Sequence, residues 1–83
     1  MFRFNRIFPK GARIRFNLYD SYHELVGVKF YTVSKDTDKI YFDITDLLKG
    51  LEHGNYTYDI FYRYEEDGGY LLRSNLILRR YNK

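Results

Sequence analysis

Apolar and polar side chains alternate with a period of two along most of this chain, the mark of strands that bury one face. Residues 12–19, ARIRFNLY, put Ile14, Phe16 and Leu18 on one side and Arg13, Arg15, Asn17 and Tyr19 on the other. Residues 25–33, LVGVKFYTV, set Val26, Val28 and Phe30 as the apolar face against Lys29 and Tyr31. Residues 39–44, KIYFDI, oppose Ile40, Phe42 and Ile44 to Lys39, Tyr41 and Asp43. A long strand is predicted over 55–64. The last runs over 70–81, YLLRSNLILRRY, with Leu72, Leu76 and Leu78 in phase and Ser74 between them. An initial strand over 2–8, FRFNRIF, is shorter and less regular.

Turn chemistry separates these runs. Pro9-Lys10-Gly11 ends the first, because proline cannot donate to a ladder and glycine accepts positive φ. Residues 20–24 and 34–38 are polar loops. Residues 65–69, EEDGG, predict a tight hairpin with its turn at Asp-Gly or Gly-Gly. Residues 45–52, TDLLKGLE, break the alternation and predict one helical turn, capped by Thr45 or Asp46, with Leu47, Leu48 and Leu51 inward. Gly50 keeps it short. Such a turn suits a chain crossing from one sheet to another. Six or seven short strands with one helical crossover predict a single all-β domain over 1–83, an antiparallel β-sandwich. A small barrel of the OB or SH3 type is the competing architecture.

In 55–64, NYTYDIFYRY, one face carries Tyr56, Tyr58, Ile60, Tyr62 and Tyr64, and the other Thr57, Asp59, Phe61 and Arg63. The face with Asp and Arg is expected to be wet, so the tyrosine face is buried. Tyr58 and Tyr62 then need partners, while Tyr56 and Tyr64 keep their hydroxyls at the rim. Leu51-x-x-Gly54-x-Tyr56 resembles the corner motif of immunoglobulin-like and fibronectin-III-like domains, in which the Tyr hydroxyl bonds back to the crossover backbone. The stretch LLKGLEHGNYTYDIFYRYEEDGGYLLRSNLILRR resembles the C-terminal half of Ig-like modules of bacteriophage structural proteins. Asn75 stands where several of those carry glycine; Asn tolerates left-handed backbone better than most residues. The resemblance implies a small Ig-like sandwich and a non-enzymatic virion role: a capsid decoration protein, or a tail, baseplate or connector component. It further implies assembly in the host cytoplasm, no active site, no cofactor, and partners among capsid, portal or tail proteins, bound in many copies.

Composition agrees with that picture. Of 83 residues 20% are aromatic, ten Tyr and seven Phe with no Trp. Each ring buries roughly 150–250 Å², which helps a chain this short build a core. The absence of cysteine excludes disulfides, thiolate metal sites and Cys nucleophiles, and favours a reducing, intracellular setting. No apolar run approaches the ~18 residues of a membrane span. MFRFNRIFPKGAR lacks the long apolar segment of a signal peptide. Met1 and the lack of a linker point to a complete small gene product.

Charge is segregated along the chain. Residues 1–17 carry Arg3, Arg6, Lys10, Arg13 and Arg15 with no acid, a net +5. Residues 18–67 hold eleven acids against five bases, a net −6, and residues 68–83 add Arg73, Arg79, Arg80 and Lys83, +4. Two contact regions are predicted: a basic terminal surface of Arg3, Arg6, Arg13, Arg15, Arg79 and Arg80, and an acidic loop of Glu65, Glu66 and Asp67. If the first and last strands lie side by side, the arginines gather on one edge.

Catalytic chemistry has little to stand on. His23 and His53 have no second ligand at metal spacing, and no GxSxG, P-loop or GxGxxG motif occurs. Asp36 with Asp38, or the 65–67 run, offers oxygen ligands to Ca²⁺, but loop acids are usually only solvated. The alternative function is single-stranded nucleic-acid binding by a small β-barrel, from the interleaved basic and aromatic residues of FRFNR and ARIRF. Sugar binding is disfavoured by the lack of Trp.

Overall fold

The structure, a computed structural model, describes residues 2–79. Its elements are β1 (Phe2–Phe8), β2 (Arg13–Tyr19), β3 (Leu25–Thr32), β4 (Thr37–Ile40), α1 (Thr45–Leu48), β5 (Gly54–Tyr64) and β6 (Asp67–Leu78). Four strands form one antiparallel sheet in the order β3-β2-β5-β6, and β1 pairs with β4 in a second, two-stranded sheet. The two sheets pack face to face and share no strand among the described residues. This is a six-stranded sandwich, and the barrel alternative does not stand.

The alternating pattern puts the core between the layers. Ile14, Phe16 and Leu18 of β2 and Ile60 of β5 are fully buried, and they meet Phe8, Ile40 and Phe42 from the other layer. The tyrosine row of β5 lines this interior, as the alternation predicts: Tyr56 and Tyr62 are each only 9% exposed. Tyr62 packs against Phe8 with ring centroids 5.8 Å apart, and its hydroxyl donates to Asp67 Oδ2 at 3.3 Å. Tyr58 stacks on Phe16 at 5.2 Å and meets Phe2 at 6.1 Å. On β6, Leu72 lies opposite Ile60, Leu76 opposite Tyr56 and Leu78 opposite Gly54, all three half-buried on the core side.

Four local features differ from the pattern's prediction. In β3 the phase is reversed. Tyr31 pairs with Ile14 and Lys29 with Phe16, so Tyr31, Lys29 and Gly27 face inward. Val28 and Phe30 face outward, with Phe30 71% exposed, and Val26 lies at the register shift between the Leu18–Gly27 and Tyr19–Leu25 pairs. The reason lies in what covers this edge strand. The covering element is α1, whose Leu47 sits so close that a Cβ on Gly27 would meet its side chain at 3.1 Å. The Lys29 ammonium reaches the Asp46 carboxylate at 2.7 Å.

Second, β4 ends at Ile40, because its ladder with β1 reaches Phe2 there. Ile40 and Phe42 still point inward, and Lys39, Tyr41 and Asp43 outward. Third, the hairpin turns at Glu65-Glu66, with Glu65 at φ 55, and Asp67, Gly68 and Gly69 belong to β6. Glycine is needed at 68 because a Cβ would lie 2.8 Å from the Tyr62 carbonyl oxygen. Fourth, neither Thr45 nor Asp46 caps α1. Asp43 Oδ1 instead accepts the Thr45 amide at 3.1 Å.

Candidate functional site

With one face of the four-stranded sheet packed on the core, the other is open, and its register arranges the outward side chains in rows. One row runs Phe30, Arg15, Phe61 and Tyr70 across β3, β2, β5 and β6. On one side of it lies the row Thr32, Arg13, Arg63 and Gly68. On the other lie Val28, Asn17, Asp59 and Arg73, then Leu25, Tyr19, Thr57 and Asn75. Strand alternation generates this set together with two register shifts, which change its phase between Leu25 and Gly27 in β3 and between Tyr70 and Leu72 in β6.

The central row is aromatic and cationic. Phe30 is 71% and Tyr70 63% exposed, and Phe61 meets Tyr70 edge-on at 5.1 Å between centroids. The Arg15 guanidinium lies 5.7 Å from the Phe30 ring centroid and that of Arg73 5.6 Å from Tyr70. Arg13, Arg15, Arg63 and Arg73 are all exposed.

The one acid in these rows, Asp59, is only 2% exposed. A buried carboxylate needs donors; Asn17 Nδ2 gives one at 2.7 Å, and Arg73 Nη2 lies 3.7 Å away. Turning its Nδ2 to Asp59 leaves the buried Oδ1 of Asn17 without a partner. Beside this pair is a cleft of about 260 Å³ lined by Tyr19, His23, Thr57, Asp59 and Arg73. Burial, and then the charge of Asp59, push the Tyr19 hydroxyl's pKa up, so the phenol stays a neutral donor. The face therefore presents four cations and four rings, with its acid sunk and paired.

The predicted contact residues are dispersed. Because β1 and β6 belong to different sheets, the terminal arginines do not gather on one edge. Arg6 lies over Tyr62 at 4.3 Å and Phe8 at 5.2 Å, roofing the core, and Arg3 pairs with Asp38 at 3.5 Å. Arg13 and Arg15 stand on the open face. Arg79 is exposed just beyond β6, and Arg80 lies outside the described residues. Glu65 and Glu66 form the exposed hairpin turn, whereas Asp67 accepts the Tyr62 hydroxyl. At the corner, Leu51 is half-buried and the Tyr56 hydroxyl donates to the Glu52 carbonyl oxygen at 2.7 Å, back across Gly54.

The rings of FRFNR and ARIRF do not reach the open face. Phe2 and Phe4 pack against the core, and Phe16 is 1% exposed. The rings that do, Phe30, Phe61 and Tyr70, escaped sequence reasoning, as did Arg63 and Arg73. Phe61 on a face shared with Asp59 and Arg63 was the available signal. Among the described residues no group of three or more His, Asp or Glu side chains could hold a metal ion, and no helix is long and apolar enough to cross a membrane. Asp36 Oδ1 already accepts the Lys10 amide at 2.9 Å. Comparison with known proteins found no matching family model, no matching curated protein and no matching solved structure.

Proposed function

We propose that this chain is a non-enzymatic structural module of a virion, of the decoration, tail, baseplate or connector kind, that docks onto a protein partner through the open face of its four-stranded sheet. The observation that carries the docking surface is the in-register row Phe30, Arg15, Phe61 and Tyr70, two of whose rings are more than half exposed. Aromatic and arginine side chains at the centre of a patch are the usual anchors of protein interfaces. The virion setting rests on the resemblance of 51–78 to phage Ig-like modules, and the Tyr56–Glu52 bond supports the corner within it. On a symmetric particle such a face works in many copies, so a weak single contact suffices.

The same row favours a second reading, single-stranded nucleic acid. Exposed rings on a sheet stack bases, and flanking arginines meet phosphates. The double variant Arg15→Glu/Phe30→Ser separates the two. Under the protein reading, purified virions contain the chain at high copy, and the variant folds with an unchanged unfolding midpoint but is missing from particles. Absence of the wild-type chain from particles sinks that reading. Tight binding of a single-stranded oligonucleotide at ~150 mM salt, where weak electrostatic association fades, and its loss in the variant establish the second.

A further inference from the structure

We propose that the free edge of β6 pairs with β6 of a second copy, antiparallel about a two-fold axis at Asn75, to form one eight-stranded sheet. The proposal goes beyond the docking reading: it uses the sheet's edge, not its open face.

The two edges of the four-stranded sheet are treated differently. An unpaired edge strand invites further pairing unless it is short, bulged, covered, or carries an inward charge. β3 has three of these protections. Its ladder with β2 shifts between Leu18 and Tyr19, Lys29 points inward onto Asp46, and α1 packs beside it. Among the described residues β6 has one neighbour, β5, and its register shift lies near its start, between the rungs Ile60–Leu72 and Phe61–Tyr70. From Leu72 to Leu78 the strand is regular, with no proline, no lysine and a single charge, Arg73. Its core-side residues Leu72, Leu76 and Leu78 are only half-buried, and outward-facing Ile77 is 59% exposed. An added strand would cover both sets.

The occupant follows from register. Asn75 is the midpoint of Leu72–Leu78, so a two-fold axis there, perpendicular to the sheet, pairs the whole regular run. It sets Leu72 opposite Leu78 and Ser74 opposite Leu76 on the core side. On the open side Arg73 faces Ile77 and Asn75 faces its own copy. No like charges meet, and leucine meets leucine. Moving the axis one residue toward the C-terminus sets Arg73 against Arg79; moving it one residue the other way brings the shift at Leu71 into the ladder. A two-fold contact requires such self-complementarity. Because this axis keeps both copies' faces on the same sides, their open faces join into one surface.

Asn75 is exposed, so charging it leaves the monomer's packing alone. Sedimentation equilibrium of the wild-type chain should show mass rising with concentration to twice that of one chain. Asn75→Lys and Asn75→Glu, each setting like charges across the axis, should sediment as monomers with unchanged circular dichroism. An equimolar mixture of the two should recover the doubled mass. A wild type that stays monomeric at all concentrations overturns the proposal. So does an Asn75→Lys variant that associates like the wild type, or a mixture that fails to reassociate. A monomeric wild type that instead binds an extended peptide along β6 assigns the edge to a different partner's strand.

Discussion

At the scale of single residues, two polar groups are held by opposite logic. Tyr56 is a ring in the core with its hydroxyl tied to a backbone carbonyl, and the bond fixes the path of residues 52–56 as the chain enters β5. Its loss leaves the ring in place and orphans one carbonyl at the rim. Tyr56→Phe should therefore lower unfolding free energy by about 0.5–1.5 kcal/mol, the net worth of one hydrogen bond, measured by urea denaturation. No change would mean that water serves the Glu52 carbonyl equally well. Asp59 reverses the case: a carboxylate on the outer face, sunk to 2% exposure by its neighbours and held by Asn17. Its pairing with Asn17 and Arg73 keeps this acid from projecting into a surface otherwise lined by arginines.

At the scale of elements, the weakest is α1, four residues long with no side-chain bond from its N-cap residue Ile44. It is fixed from outside, by Leu47 over Gly27, by Lys29 on Asp46 and by Asp43 on Thr45. Both carboxyls titrate below the usual aspartate range: Asp43 through the Thr45 hydroxyl and then its amide, Asp46 through the hydrogen bond from Lys29. A folded-state pKa below the unfolded one stabilises above the unfolded value, about 3.9, and that stability is lost as pH falls through the folded value. The unfolding midpoint should thus fall on acidification below about pH 4, and less steeply in Asp43→Asn/Asp46→Asn, followed by thermal melts across that range. Equal slopes would show that α1 is held by its leucines alone. These contacts also explain what the sequence hides. The strands of β1, β2, β5 and β6 are legible because one face of each meets the core, and period two records it. β3 is legible as a strand but not in its inward face, because an edge strand covered by a helical turn needs a glycine, a lysine and a tyrosine inward. Its apolar residues then mark a surface, and that surface is one edge of the candidate site. The arginine rows were equally hidden, since they exist only once β2, β5 and β6 are in register.

At the scale of the whole molecule, the two layers are unequal. Four strands are covered by two, so the inner sides of both edge strands extend past the lid; α1 fills the gap at β3, and the leucines of β6 stay half-buried. The lid itself is thinly hydrogen-bonded. β1 meets β4 at Phe2–Ile40, Arg3–Lys39 and Phe8–Thr37, with a register shift between. What holds it is side-chain burial, chiefly Phe8, Ile40 and Phe42 against Phe16, Tyr58 and Tyr62. In the larger sheet β2 and β5 are paired along both sides. Backbone amides bonded only through a lid that opens locally exchange faster than those released by global unfolding. Native-state hydrogen exchange should therefore find the slowest amides in residues 14–18 of β2 and 58–62 of β5, and markedly faster ones in β1 and β4. Lid amides as slow as those of β5 would mean that the two layers open together, the rings between them binding the sheets into one cooperative unit.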